Sequence, residues 1–389
     1  MKIALVILHA DTARGGAERY TLDLATGLVG RGHLVSLLAS SFQSGETAGQ
    51  RVVLPATGAT RSRRYLSFLN SLDRELDRTK YDLVHAMLPV RRCDLYHPHA
   101  GIAVEALAKG HLNKSGAVRQ TLSWVGNQCN SRRRLFAKVE MELIGSPKPS
   151  IVLSLSRLIQ EVVRRNYPGL AEDRCATLFN GIDLNRFDPA VCREDRQAVR
   201  GRFQIADSSI VGLLLAQDFE RKGVRQAIEA LAKVSDRRVV LLIGGRPDPT
   251  KYRHLAESLR VQDRVIFSGP VANPAAFYRA ADFFVLPTRF DPCSLVVLEA
   301  LAMGLPVISS NRNGACEIMR QGEHGYILSN PDDVPSLAVA MRDLLDPEVR
   351  SRMSNACLEL RPRLSQDWHL EQLEAVYTAI AKSPNHHVR

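Results

Sequence analysis

The chain is poor in the features that would place it in several common classes. Nowhere does an apolar run approach the roughly 20 residues of a membrane span, so a chain that does not cross a bilayer is expected. No C-x-x-C pair occurs. The seven cysteines (93, 129, 175, 192, 293, 316 and 357) are odd in number and scattered, which argues against a disulfide framework or a structural zinc site and makes a reduced cytoplasm the default compartment. Gly is never followed by Lys, which excludes a P-loop. H-E-x-x-H and G-x-S-x-G are missing too, which removes zinc-protease and serine-hydrolase chemistry of those types. The absence of D-x-D matters most. It is the usual metal-binding signature for a nucleotide diphosphate, so any diphosphate bound here is expected to be met by backbone N–H groups, Arg and Lys, with no metal and no other cofactor.

What is present suits a two-domain protein. The 389 residues, 45% hydrophobic and 24% charged, are too many for one ordinary domain and comfortable for two. Lys2 to Leu8 is a continuous apolar run that breaks at His9, Asp11 and Arg14 without a small-residue cleavage site, which reads as a buried first strand. Gly15-Gly16 follows, then a helical pattern with Leu22, Leu24, Ala25 and Leu28, and a strand from Leu34 to Ala39. Strand, Gly-rich turn, helix, strand is a βαβ unit, although not the full dinucleotide fingerprint. Further strands are expected at 52–54, 82–86, 95–96 and 151–155. His97 and His99 stand in a Pro/Gly turn just past the 95–96 strand, where ligands of open α/β sheets bind. Asp188-Pro189 and the charged stretch after it read as a linker.

A second βαβ unit runs from Ile210 to Gly244. Its turn carries Arg221 and Lys222 at a helix entrance, placed to neutralise a diphosphate; a surface ion network with Asp218 and Glu220 is the bland alternative. The strand Phe283 to Leu286 runs through a polar turn with Asp291 into a helix that starts at Ser294 and contains Glu299. Exposed N–H groups of Ser294 and Leu295, with the positive end of the helix dipole, would seat a phosphate. Asp291 lies ahead of the helix and Glu299 inside it, so the two acids cannot share one role.

The net charge of +11 permits an acidic partner. From Ala100 to Glu140 seven Lys/Arg (109, 114, 119, 132, 133, 134 and 138) stand against two Glu, with Leu107, Leu112, Leu122, Trp124, Val125, Leu135 and Phe136 interspersed. Such an amphipathic basic segment suits an anionic membrane surface, or is simply a solvated basic face. No nucleic-acid-binding module accompanies the charge, so nucleic acid is not expected as a partner.

The second half resembles the retaining glycosyltransferases of family 4. The residues that carry this are the D-x7-E variant Asp291/Glu299, the Glu-Ala-Leu-Ala-Met-Gly-Leu-Pro-Val run from Glu299, Arg221-Lys222-Gly223, Asn180-Gly181-Ile182-Asp183 and, at the N-terminus, Gly15-Gly16-Ala17-Glu18-Arg19. Within that family the chain looks closest to the lipopolysaccharide-core glucosyltransferase I group, through Asp-Phe-x-Arg-Lys-Gly-Val, Ile-Glu-Ala-Leu-Ala and Arg312-Asn313-Gly314. The resemblance implies an α/β fold of the GT-B type, two facing Rossmann-like domains with parallel sheets and a central cleft. The expected domains are 1–180, joined by the C-terminal helix 366–389, on the acceptor side, and 181–365 on the nucleotide-sugar side.

It also implies that Glu299 holds the ribose and that Asp291 meets donor-sugar hydroxyls. Arg221, Lys222 and backbone N–H groups of Ser294, Leu295 and the Gly15-Gly16 turn would take the diphosphate, and His99 would lie near the anomeric centre. The departure from the pattern is Asp291, where the family usually has the longer Glu. The expected activity is metal-independent transfer of a hexose, glucose being favoured, from a UDP-type donor to a lipopolysaccharide-core or other cell-envelope glycan or glycolipid. The expected setting is the cytoplasm or the inner membrane face. Fold alone leaves open a nucleotide-sugar epimerase or a non-catalytic sugar-nucleotide binding protein.

Overall fold

The computed structural model describes residues 1–43, 47–109, 130–146, 150–190 and 194–382. The chain divides into two compact units, Met1–Asn180 with Asp367–Arg389, and Gly181–Gln366.

In the first unit the apolar runs become strands of one parallel sheet. Its strands are β1 (Lys2–Val6), β3 (Leu34–Ala39), β5 (Gln50–Val53), β6 (Leu83–Ala86), β7 (Leu95–Tyr96), β8 (Ile151–Ser154) and β9 (Cys175–Thr177), in the order β5-β3-β1-β6-β7-β8-β9; β2 (His9–Ala10) pairs separately with β4 (Ser41–Phe42). Ile3 to Val6 are fully buried, because a central parallel strand has both faces covered, which is why β1 shows no polar alternation. The helix Gln366–Lys382 closes this core. Its Leu370, Leu373, Tyr377 and Ile380 pack with Leu5, Leu24, Leu28 and Leu37, so the end of the chain belongs to the unit that holds its beginning.

The second unit is a six-stranded parallel sheet of β10 (Ile210–Leu215), β11 (Val239–Gly244), β12 (Val265–Gly269), β13 (Phe283–Leu286), β14 (Val307–Ser310) and β15 (Gly325–Leu328), ordered β12-β11-β10-β13-β14-β15. Strand order reverses between β10 and β13. Connections leaving these two neighbours diverge to opposite sides, which opens a crevice at their carboxyl ends.

The stretch after Pro189 differs from the expected linker. Glu194–Arg202 is a helix, and Arg196 and Arg200, one turn apart, reach the same carboxylate, Asp282, at 2.9 and 2.8 Å. Arg200 also donates to the carbonyls of Ala280, Ala206 and Ser209 and is 2% exposed. A charged run that looks solvated is here a clamp at the foot of β13, with Arg200 buried and Arg196 at its exposed side.

Of the basic segment 100–140, residues 110–129 lie outside the described residues, and with them Leu112, Lys114, Arg119, Leu122, Trp124 and Val125. The helix Ser131–Ile144 is described and is not wholly a surface element. It buries Ala137, Val139, Leu143 and Ile144, and its Glu140 is 0% exposed, accepting from Tyr96 Oη, the N–H groups of Ala103 and Val104, and Tyr167 Oη. Among the described residues no helix is long and apolar enough to cross a membrane.

Candidate functional site

The loops leaving β10 and β13 are stitched into one floor. Arg289 N–H donates to the Arg221 carbonyl at 2.9 Å, Thr288 Oγ1 donates to the same carbonyl at 3.2 Å, and Arg221 Nη1 returns to the Phe290 carbonyl at 2.9 Å. Gly223 makes this approach possible. Its φ of 78° lies in the left-handed region, and a Cβ there would stand 2.3 Å from the Pro287 carbonyl oxygen, so only glycine fits without displacing a loop.

On that floor Lys222 and Asp291 form a direct ion pair, Lys222 Nζ donating to Asp291 Oδ2. The two residues are 8% and 9% exposed. Burial pulls the Lys222 ammonium below its usual range, and the opposing charge of Asp291 restores part of that. Asp291 Oδ1 accepts the Cys293 N–H at 3.2 Å, and its backbone bridges to the 312–314 turn through Asp291 N–H to Arg312 O and Gly314 N–H to Asp291 O, both 2.9 Å. Both carboxylate oxygens therefore already have a partner within the protein. Arg221, a third exposed, keeps a looser pair with Asp218 at 3.5 Å.

The helix Leu295–Ala302 starts beside this pair. Ser294 N–H is not one of its open donors, because it donates to Asn313 Oδ1 at 3.2 Å. The physical reason is the neighbouring turn. Asn313, 1% exposed, also accepts from Ala315 N–H and donates to Ser309 Oγ, pinning the helix start to β14. Leu295 and Val296 open the helix, and the N–H groups of a helix's first turn have no intrahelical acceptor and form its positive end. One turn on, Tyr278 Oη donates to Glu299 Oε2 at 2.7 Å while lying 3.0 Å from the Val296 carbonyl. Burial, then the Glu299 charge, drives the Tyr278 hydroxyl far above its ordinary pKa, so it acts as a fixed donor that orients the carboxylate.

Arg221, Lys222, Asp291, Leu295 and Glu299 thus gather at the switch point of the second unit, with Ser294 held at the helix start by Asn313. Sequence reasoning missed Tyr278 and the role of Asn313. The tyrosine sits 21 residues before its partner on another helix, and no local spacing reports it.

Gly15, Gly16 and His99 lie in the first unit. Gly15 precedes the helix Gly16–Gly30 with a φ of 172°, extended backbone that any residue adopts; a Cβ would meet only the movable end of the Glu18 side chain, at 3.1 Å, so neither backbone conformation nor packing demands glycine here. His99 belongs to a cluster of rings. Tyr20 and His97 lie 4.2 and 4.1 Å from it, centroid to centroid. His97 is 3.2 Å from His85, whose other nitrogen is 2.7 Å from Tyr377 Oη. His369 Nδ1–H donates to the Phe179 carbonyl at 2.6 Å, so its neutral Nε2 accepts from Tyr20 Oη at 2.8 Å. Burial depresses all four histidines, His99 to about 3 and His369 to about 4, which leaves His99 an uncharged ring at neutral pH. Its Nε2 is buried and has no hydrogen-bond partner among the described residues. Among the described residues no group of three or more His, Cys, Asp or Glu side chains could hold a metal ion.

Residues 14–186 match the family described as Glycosyltransferase Family 4, and residues 209–347 match Glycosyl transferases group 1. An uncharacterized glycosyltransferase of Methanocaldococcus jannaschii is 25% identical over 352 residues, spanning 86% of this chain and 87% of that protein. The lipopolysaccharide glucosyltransferase WaaG of Escherichia coli is 24% identical over 335 residues, 85% and 86% of the two chains. A crystal structure of WaaG superposes with a TM-score of 0.80 at 22% identity, over 97% of this chain and 99% of that one. Anabaena HepE, solved in complex with UDP-glucose, superposes with a TM-score of 0.72 at 18% identity over 97% and 100%.

Proposed function

The chain belongs to the family 4 glycosyltransferases and has their GT-B fold, and from that premise we propose that it moves glucose from UDP-glucose to a lipopolysaccharide-core or other cell-envelope glycan. Transfer is with retention at the anomeric carbon and needs no metal ion. The observation that carries the donor assignment is the buried Lys222–Asp291 pair beside the open start of the helix Leu295–Ala302. Lys222, Arg221 and the N–H groups of Leu295 and Val296 can meet the four non-bridging oxygens of a diphosphate without a metal ion, and they stand fixed before the reaction begins. Glu299, oriented by Tyr278, accepts from ribose hydroxyls. Sugar identity and base are supported by the HepE complex and by the WaaG likeness.

In the reaction the bond from the anomeric carbon to the diphosphate oxygen breaks and the acceptor oxygen bonds on the same face. The acceptor proton passes to the departing phosphate oxygen, so the chemistry requires no protein nucleophile. His99 carries the role that the resemblance gives it, contact with the transferred sugar, as a neutral ring. The setting is the cytoplasmic face of the membrane. Thermal-shift screening against UDP, GDP, ADP and CDP sugars tests the donor, since the preferred one raises the melting temperature by mass action. The anomeric configuration of the product tests retention. No stabilisation by any nucleotide sugar, or an inverted product, would sink the reading.

A further inference from the structure

Outside the donor seat, the first unit carries a second concentration of positive charge built from three separate stretches of chain. In a parallel sheet each helix that follows a strand begins at the carboxyl edge, the edge that binds ligands. Arg14 stands just before the helix Gly16–Gly30, which follows β1. Arg61 and Arg64 occupy the first turn of Arg61–Arg78, which follows β5. Arg132 occupies the first turn of Ser131–Ile144, which runs back to β8. The starts of the last two helices touch, Ser62 Oγ lying 2.9 Å from Ser131 Oγ. Arg132, half-buried, folds back over the Phe136 ring at 5.1 Å, and that ring stacks on Tyr65 at 4.2 Å.

These cations are near enough to repel one another. Arg132 is held below its usual pKa by burial and then by the charges of Arg61, Arg14 and Arg64. His9 is lowered by burial and by Arg14, Arg132 and Arg64, with Asp11 opposing. Among the described residues the one carboxylate in ion-pair range is Asp11, 3.9 Å from Arg14, and none pairs with Arg61, Arg64 or Arg132. Four like charges with a single carboxylate in ion-pair range among the described residues, gathered at a ligand-binding edge, raise the free energy of the empty state, and an anion relieves it. Guanidinium forks suit the tetrahedral, multiply charged oxygens of a phosphomonoester.

We propose that Arg14, Arg61, Arg64 and Arg132 form an anion site in the first unit that recognises a phosphate group borne by the acceptor. The proposal rests on the glycosyl-transfer reading, and it adds to the acceptor a charge that the donor chemistry does not require.

The test uses the full chain saturated with UDP, so that the donor seat is filled. Glucose 6-phosphate is titrated calorimetrically, with glucose as the uncharged control, into wild type and into the triple variant Arg61→Gln/Arg64→Gln/Arg132→Gln. Wild type is expected to bind glucose 6-phosphate and not glucose, and the variant to bind it at least tenfold more weakly. UDP affinity should be equal in the two proteins, and the variant should melt no lower than wild type, because repulsion has been removed. Equal glucose 6-phosphate affinity in both proteins overturns the site. So does a variant that loses binding only to vesicles containing phosphatidylglycerol, since the patch would then be a lipid surface. Failure of wild type to bind UDP would instead overturn the donor reading, and the two failures are read from separate titrations.

Discussion

Replacing Asp291 by Asn keeps the shape of the turn and removes only the charge opposite Lys222. The Cys293 N–H can still be accepted by the amide oxygen, so the effect isolates the ion pair. Removing one partner of a buried pair costs about 3–5 kcal/mol, because the other charge is left uncompensated. Both side chains here are nearly closed off from water, at 10% and 12%. Burial already weakens the hold of Lys222 on its proton, so the orphaned lysine can shed it, and the loss should fall toward the lower end. For a unit the size of Gly181–Gln366, each kcal/mol moves the melting temperature about 2–4 °C, so a loss of about 3 kcal/mol gives a drop of roughly 6–12 °C. UDP then supplies the missing negative charge. Differential scanning fluorimetry with and without UDP should therefore show a larger nucleotide-induced shift in Asp291→Asn than in wild type. The pair Lys222→Met/Asp291→Leu should recover much of the lost stability, since no unpaired charge remains. If Asp291→Asn melts with wild type, or if UDP shifts the two equally, Lys222 is not the diphosphate cation and the donor seat is misassigned.

Other expectations follow from the same geometry. Lys222→Ala and Glu299→Ala should each weaken UDP-sugar binding by at least tenfold, as each removes a charge-assisted contact of about 1.5–3 kcal/mol; calorimetric titration reads this, and wild-type affinity in either would remove that residue from the site. Transfer should survive EDTA, and abolition by chelator with rescue by manganese or magnesium would contradict the charge-matching argument. Stability should fall with acid in a defined window. His99 and His369 are lowered to about 3 and about 4 by burial, so between the ordinary histidine pKa near 6.5 and those values the unfolded chain binds protons that the folded chain does not. Each such group costs about 1.4 kcal/mol per pH unit as pH falls. Urea titrations of the full chain from pH 7 to 4 should show this loss, and a flat profile would mean that the ring cluster is open to water.

The frame of the fold is legible wherever a residue's surroundings repeat along the chain. Runs such as Ile210–Leu215 and Val239–Gly244 are apolar without alternation because parallel strands are covered on both faces, and the turns that follow them stand out by contrast. Arg221-Lys222 and Asp291 lie in two such turns, and the reversal of strand order makes those turns neighbours. What escapes is pairing across long separations. Nothing local to Glu194–Arg202 reports that Asp282 waits for its arginines, and nothing near Glu299 reports Tyr278. The occupied N–H of Ser294 is hidden for the same reason, since its acceptor comes from the turn after β14. β15 is likewise hard to see, being a short edge strand of which only part is buried.

The short acid at position 291 acquires a physical meaning from these contacts. Asp can accept the N–H two residues on, closing the small side-chain-to-backbone ring that makes it a turn residue, and Asp291 does so with Cys293. A Glu, one methylene longer, would carry its carboxylate past that N–H and farther from the backbone. In this chain the same shortening that reduces reach toward a sugar keeps the carboxylate against its own turn, where it holds Lys222 and, through the 312–314 bridge, lies beside the Asn313 that pins the helix start. Each carboxylate oxygen has a second lone pair, so a sugar hydroxyl can still donate to Asp291, but only to a group already oriented by Lys222 and Cys293. Cation, turn and helix start are therefore one mechanical element, so on the proposed reading the position of the diphosphate and the presentation of Asp291 to the sugar are set together.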